Sequence, residues 1–291
     1  MRSPIAFSKD QGTGNDFVMV VDLDDARPLA PEEVAALCDR RTGVGADGVI
    51  RLVRTSEGGA SFFMDYANAD GTLAEMCGNG IRCVGVLANE RRLVDDLAFD
   101  VATRAGVKHL ELHTGDDGAV RSVTVGMGPA NFTKASIPMR GPAWETFLGQ
   151  PFEIGPDMTL PASAVSIGNP HLVLFVDQDP ARYHVGHIGP ALEHHELFPE
   201  GANIEFARVD GDRIDVRVWE RGSGETMACG SGACAVAVAA NEAGLAPARV
   251  TIRFPGGDVE VERREDGEVR LTGPAVHVFD GTVDLEALPR A

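Results

Sequence analysis

The stretch Trp219-Glu-Arg-Gly-Ser-Gly-Glu-Thr-Met-Ala-Cys-Gly-Ser-Gly-Ala-Cys234, continuing into Ala235-Val-Ala-Val-Ala-Ala240, sets the reading of this chain. A strand-like run, Ile214 to Trp219, leads into a glycine-rich turn. Cys229 then stands directly before an apolar run of small residues that reads as a helix. A second copy of the arrangement lies upstream, as Glu75-Met-Cys-Gly-Asn-Gly-Ile-Arg-Cys83.

The copies extend further. Gly14-Asn15-Asp-Phe17-Val18 matches Gly168-Asn169-Pro-His171-Leu172-Val173. From Asn15 to Cys77 is 62 positions, and from Asn169 to Cys229 is 60. Each half therefore carries an Asn-bearing loop before a strand. About 60 residues later each has a strand, a glycine-rich loop and Cys-Gly-x-Gly opening a helix. A tandem duplication into two similar α+β lobes is the economical reading. The intervening sequence is rich in short strands and hairpin turns, such as Gly256-Gly257 and Asp266-Gly267. It predicts, in each lobe, a curved, mostly antiparallel sheet around one central helix. Gly128-Pro129 closes the first half, and the second runs from Ala130 to Pro274. With the lobes related by a pseudo-two-fold axis, the two Cys-Gly-x-Gly loops are expected to face one cleft.

Bulk properties narrow the class. At 291 residues and 44% hydrophobic content the chain suits two ordinary domains with real cores. The formal charge of −18 argues against a nucleic-acid partner, whose phosphates need a basic face. The longest apolar run, about Ala233 to Ala240, is far short of the roughly 20 residues that span a bilayer. The first residues lack the apolar core of a secretory signal. These features predict a soluble cytoplasmic protein without a membrane partner. The five cysteines, at 38, 77, 83, 229 and 234, are an odd number and suggest no disulfide framework. No Cys-x-x-Cys occurs. On helices, Cys77 and Cys83 are roughly 120° apart and Cys229 and Cys234 roughly 140° apart, so no metal site is expected. Cys38, Cys83 and Cys234 fall inside apolar helical runs and read as core.

Cys77 and Cys229 read differently. Each follows a polar loop and opens a helix, where free amides and the positive end of the helix dipole favour thiolate over the usual pKa of about 8.5. The glycines beside them admit a ligand to the backbone, and the same amides suit a carboxylate. Two such loops serve one reaction well. Inverting an α-carbon needs a base on one face and an acid on the other. The developing carbanion delocalises into the carboxylate, where amide donors stabilise it. Pyridoxal phosphate would need a Schiff-base lysine, but only Lys9, Lys108 and Lys134 are present, none beside a phosphate cradle. A cofactor-free reaction on a small amino acid is expected. Asn15 and Asn169 gain weight from their paired positions, and His171 from its place after Asn169-Pro170. Arg221 could hold a carboxylate and Glu220 an amine. His194 and His195 read as solvated helix surface.

These motifs resemble the diaminopimelate epimerases over nearly the whole chain. The resemblance rests on Phe7-x-Lys9-x-x-Gly-x-Gly-Asn-Asp-Phe17, Arg41-x-Gly-x-Gly-Ala-Asp47, Asn68-x-Asp70-Gly71, Met76-Cys-Gly-Asn-Gly-x-Arg82, Gly168-Asn-Pro-His171, Gly201-x-Asn203 and the Trp219 stretch. It implies two barrel-like lobes. The first would span 1–129 and be joined by a returning C-terminal strand within 275–291, and the second would span 130–274. It also implies a PLP-independent isomerase, interconverting LL- and meso-diaminopimelate for lysine and peptidoglycan precursors, and a homodimer. Cys77 and Cys229 would be the acid/base pair. Gly78, Asn79, Gly230 and Ser231 would meet the α-carboxylate. Asn15, Asn68, Asn169, Asn203, Glu220 and Arg221 would hold the substrate's two amino-carboxylate ends, with His171 and Glu220 supporting the reacting end. Gly48 departs from the pattern, standing where some members carry a glutamine that touches ligand. Relatives of this fold that act on proline or hydroxyproline have His after the first Cys-Gly, where this chain has Asn79. A racemase of proline, hydroxyproline or histidine type and a non-catalytic two-lobe binding protein are the alternatives.

Overall fold

The computed structural model describes residues 4–155 and 158–289. Residues 1–3 and 290–291 of the expected lobes lie outside the described residues. The chain runs β1 (Ile5–Gly12), β2 (Asn15–Val21), α1 (Pro31–Cys38), β3 (Gly48–Arg54), β4 (Phe62–Asn68), α2 (Gly78–Glu90), β5 (Ala98–Thr103), β6 (Gly106–Thr114) and β7 (Val120–Pro129). It continues through β8 (Gln150–Gly155), β9 (Met158–Ser166), β10 (Pro170–Phe175), α3 (Val185–Glu193), β11 (Asn203–Asp210), β12 (Arg213–Glu220) and β13 (Gly224–Thr226). It ends with α4 (Gly230–Glu242), β14 (Arg249–Phe254), β15 (Gly257–Arg263), β16 (Glu268–Gly273) and β17 (Val276–Val283). Two compact units result: residues up to Val125 together with those from Gly273 onward, and Gly126–Thr272.

In the first unit the strand order is β17-β1-β2-β3-β4-β5-β6-β7. Two pairs, β2–β3 and β4–β5, are parallel and the others antiparallel. In the second unit the order is β8-β9-β10-β11-β12-β14-β15-β16, and the parallel pairs are β10–β11 and β12–β14. The two patterns of parallel and antiparallel pairing are the same, strand for strand. The mostly antiparallel α+β class expected from the sequence is what the chain adopts.

The helices follow from local chemistry. Cys77 and Cys229 are the N-caps of α2 and α4, each in extended backbone, and each thiol sulfur accepts from the amide three residues on, Gly80 or Gly232. In α4, Gly232 to Ala240 is buried without a break, so the helix has no solvent face. It touches β9, β10, β11, β14 and β15, and α2 touches β1, β2, β6 and β17, so each sheet curves around its helix. Strand β12 shows the alternation of a half-buried strand, with Ile214, Val216 and Val218 inward. Helix α3 runs from Val185 to Glu193, with Pro190 inside it. Gly189 is buried because Trp219 lies against it, and a Cβ there would meet the indole at 2.5 Å. His195 is half-buried rather than solvated, and its ring lies 4.8 Å from that of Phe152. No helix of the described residues is long and apolar enough to cross a membrane.

Candidate active site

The first half-site is built on the loop between β1 and β2, the β4–α2 turn and the segment before β3. Cys77 Sγ lies 3.5 Å from Asn15 Oδ1, which accepts from it, and Asn79 Nδ2 donates to the same oxygen at 3.3 Å. Asn15 Nδ2 donates to Asp47 Oδ2 at 2.7 Å. That carboxylate also accepts from Asp16 N at 3.1 Å and, through Oδ1, from Arg40 Nη2 at 2.7 Å. Arg40 and Lys9 both pair with Asp16. Burial pushes the Asp16 carboxyl up, but the hydrogen bonds from Arg40 and Lys9 outweigh it and hold it at about 2. Beneath the loop, fully buried Arg82 donates to Gly78 O at 3.0 Å, Thr13 Oγ1 at 2.7 Å and Asn79 Oδ1 at 3.0 Å. Asn68 lies opposite Gly48, the neighbour of Asp47, in the β3–β4 register. Its side chain donates to Thr72 Oγ1 at 3.1 Å in the turn that ends β4.

The second half-site has the same plan with different chemistry. Cys229 Sγ lies 3.5 Å from Ser231 Oγ, and Asn169 Nδ2 donates to that hydroxyl at 3.3 Å. His171 is fully buried, with Nε2 2.9 Å from Asn169 Oδ1 and Nδ1 2.7 Å from Glu205 Oε1. Asn203 Nδ2 donates to Pro170 O at 2.9 Å, and its Oδ1 accepts from Arg221 N at 2.9 Å. The Arg221 guanidinium donates to Glu200 O at 3.1 Å. Glu220 accepts from Thr226 Oγ1 and is hydrogen-bonded to Cys229. The Gly222 turn is stapled by Glu193, which accepts from Gly222 N at 2.9 Å and from Trp219 Nε1 at 2.7 Å.

The electrostatics of Cys229 differ from the sequence expectation. Burial first, then the charges of Glu220 and Glu205, push its thiol well above the ordinary range. The amide of Gly232 and the Ser231 hydroxyl pull the other way but do not prevail. Burial likewise raises the Glu220 carboxyl, against hydrogen bonds from Thr226 and Cys229. Cys229 therefore rests as a thiol beside a carboxyl group shifted toward it. In the first turn of α4 the amides of Gly232 and Ala233 are taken by the sulfur and carbonyl of Cys229. Those of Gly230 and Ser231 have no helical carbonyl to reach and suit a carboxylate.

Gly48 has a steric explanation. A Cβ there would meet Ala67 O at 2.6 Å and the Tyr66 ring at 2.7 Å, so this strand position excludes a glutamine side chain. Sequence reasoning missed Asp47, Glu205, Thr13 and Arg82 as supporting residues. Asp47 and Arg82 were visible as the ends of two motifs, but Glu205 stands in a strand and gives no such signal. Among the described residues no group of three or more His, Cys, Asp or Glu side chains could hold a metal ion.

A family model described as diaminopimelate epimerase matches residues 7–133 and 163–278. The chain belongs to the diaminopimelate epimerase family. It is 42% identical over 282 residues to the diaminopimelate epimerase of Leptospira biflexa, covering 97% of this chain and 99% of the relative. It is 44% identical over 279 residues to that of Desulforudis audaxviator, covering 94% and 98%. Among solved structures, a probable proline racemase from Agrobacterium radiobacter K84 superposes with a TM-score of 0.70 at 15% identity, covering 97% of this chain and 93% of that one. That likeness concerns the fold alone. Family membership gives the two half-sites a common context, since the matched residues include both cysteines and both Asn-bearing loops.

Proposed function

We propose that this protein interconverts LL- and meso-diaminopimelate without a cofactor, with Cys77 and Cys229 as the two proton-transfer groups at one α-carbon. The observation that carries the reading is the repeated half-site. In each unit a cysteine caps the central helix with its sulfur, and an Asn-bearing loop is linked to that sulfur, directly by Asn15 in the first unit and through Ser231 by Asn169 in the second. The family's relatives at 42–44% identity bear the same activity in their names.

In this mechanism one thiolate removes the α-proton and the opposite thiol delivers another, so the cysteines exchange roles without a covalent bond to carbon. The electron pair of the broken C–H bond is held in the carboxylate, stabilised by first-turn amides of Gly78, Asn79, Gly230 and Ser231. Cys229 needs a base to become thiolate, and Glu220 is placed for it. Its raised carboxyl is closer to the thiol in basicity than an ordinary glutamate, which lowers the cost of the transfer. His171 acts behind Asn169 and Ser231 on the same side. Asn68, Asn203 and Arg221 are available for the distal amino-carboxylate, which sets diaminopimelate apart from a monocarboxylic amino acid.

Cytoplasmic lysine and peptidoglycan precursor synthesis is the setting this activity implies. A homodimer is supported by β17, which leaves Val276, Val278 and Phe279 about half exposed. The deciding experiment offers LL-diaminopimelate, L-proline and L-histidine to the purified protein. Inversion of the first alone supports the reading, and inversion of a monocarboxylic amino acid alone contradicts it.

A further inference from the structure

The repeat places two unlike pairs in one position. Phe17 and His171 each lie two residues after the loop asparagine, on β2 and β10, and pair with Gly48 and Asn203 across a parallel register. Two residues on, β3 carries Ile50 and β11 carries Glu205. The second glycine of each Cys-Gly-x-Gly loop reports the match independently. A Cβ on Gly80 would meet Ile50 Cδ1 at 2.6 Å and Phe17 Cζ at 3.4 Å, while one on Gly232 would meet Glu205 Oε1 at 2.8 Å. The first unit fills this space with hydrocarbon. The second fills it with a fully buried histidine and a fully buried carboxylate, whose Oε2 has no partner among the described residues. Packing therefore does not require the polar pair, and a buried pair of this kind is weak evidence for stability.

The hydrogen bonds give the pair a task. A line runs from Glu205 to His171, Asn169, Ser231 and Cys229 Sγ, at 2.7, 2.9, 3.3 and 3.5 Å. Asn169 Oδ1 only accepts, so Nε2 of His171 donates to it as placed. A second proton lies between Nδ1 and Glu205 Oε1. The pair then holds two protons and no net charge, wherever the second proton sits. A carboxylate only accepts, so it holds a proton at Nδ1 and anchors the ring edge opposite Asn169. With hydrocarbon in its place Nδ1 has no partner, the ring is no longer held, and Asn169 and Ser231 lose their backing. Glu220 and Cys229 are the other titratable groups whose charges act on this pair.

We propose that Glu205 is a positioning residue for the Cys229 half of the reaction: its carboxylate anchors Nδ1 of His171, which fixes Asn169 and Ser231 against the Cys229 thiol. This rests on the two-cysteine reading above.

The test uses the full-length protein with 15N-labelled histidine. In the ligand-free wild type, NMR should show a proton on Nε2 of His171, identified among the eight histidines by its loss in the paired variant His171→Phe/Glu205→Ile. Glu205→Leu should leave Nδ1 of that ring unprotonated. It should lower kcat for α-proton exchange about 100-fold, the scale of a disturbed acid–base group, with KM within about threefold, and Glu205→Gln, whose amide can still bond Nδ1, should recover about tenfold of that loss. The paired variant copies the first unit and should melt no lower than wild type. Absence of the Nε2 proton in wild type overturns the proposal. So does a Glu205→Leu kcat within twofold of wild type, a Glu205→Gln variant that recovers nothing, or a paired variant that melts lower. Failure of the wild type to exchange the α-proton would instead sink the functional reading, while the ring protons still judge Glu205.

Discussion

Asn15 donates from Nδ2 to the Asp47 carboxylate at 2.7 Å, and this bond decides which of its atoms meets Cys77. A carboxylate only accepts, so Nδ2 must face Asp47 and Oδ1 must face the thiol. Asp47 thus orients Asn15 against Cys77. A hydrogen bond to a charged group contributes about 1.5–3 kcal/mol, so Asp47→Ala should lower kcat roughly ten- to a hundredfold. Asp47→Asn should lose less, because its amide oxygen can still accept. Steady-state epimerisation rates of the two variants check this ordering.

The second glycines of the two Cys-Gly-x-Gly loops, Gly80 and Gly232, should respond unequally to a methyl group. At Gly232 the added carbon would sit 2.8 Å from Glu205 Oε1, which His171 holds in place, and 3.2 Å from Cys229 Cβ. At Gly80 the nearest atoms are Ile50 Cδ1 and Met64 Cε, the ends of side chains that can turn. Gly232→Ala should destabilise by about 1–3 kcal/mol, the range for overpacking, and Gly80→Ala by less. Urea unfolding of both variants measures the difference.

Much of this was legible in the sequence. The paired Cys-Gly-x-Gly motifs marked the starts of α2 and α4, and the paired Asn motifs the loops that lead to their caps. They did so because a helix N-terminus needs a cap and a close approach needs glycine, and both leave marks on neighbouring residues. Glu205 left none. In Asn203-Ile-Glu-Phe-Ala it stands where strand alternation would place an outward polar residue, yet β11 is buried from Asn203 to Ala207. Its burial comes from α4 covering the strand, a tertiary fact. The thiolate expectation for Cys229 failed for a similar reason. The helix terminus is local and visible, whereas desolvation and the charges of Glu220 and Glu205 come from the fold.

The two cysteines should differ in reactivity toward iodoacetamide. Cys77 is half-buried, whereas Cys229 is buried and its thiol is pushed well above its ordinary value. At pH 8 mass spectrometry should find Cys77 alkylated and Cys229 intact. Modification of Cys229 should rise only as the pH passes well beyond 9. Equal rates at pH 8 would contradict the burial and charge argument.

Gly48→Gln should not recover a ligand contact. Its Cβ would lie 2.6 Å from the Ala67 carbonyl, which is backbone and cannot turn away. We expect a loss of about 1–3 kcal/mol in stability and no fall in KM for diaminopimelate. Thermal melts and steady-state kinetics decide.

Acid should weaken the network around Asp16. Its folded pKa of about 2 lies below the ordinary 3.8, so its contribution is complete above pH 3.8 and is lost as the pH falls through about 2. The stability gap between wild type and Asp16→Asn should therefore shrink from pH 4 to pH 2. A constant gap across that window would show that the charge of Asp16 contributes nothing.

The most direct measurement of the central claim is α-proton exchange of LL-diaminopimelate in deuterated water, followed by NMR with Cys77→Ser and Cys229→Ser beside the wild type. Two thiols acting at one α-carbon predict that the wild type inverts and incorporates solvent deuterium, and that each serine variant loses inversion by at least a hundredfold, the lower end of an acid–base contribution. Inversion at wild-type rate by both variants would contradict it.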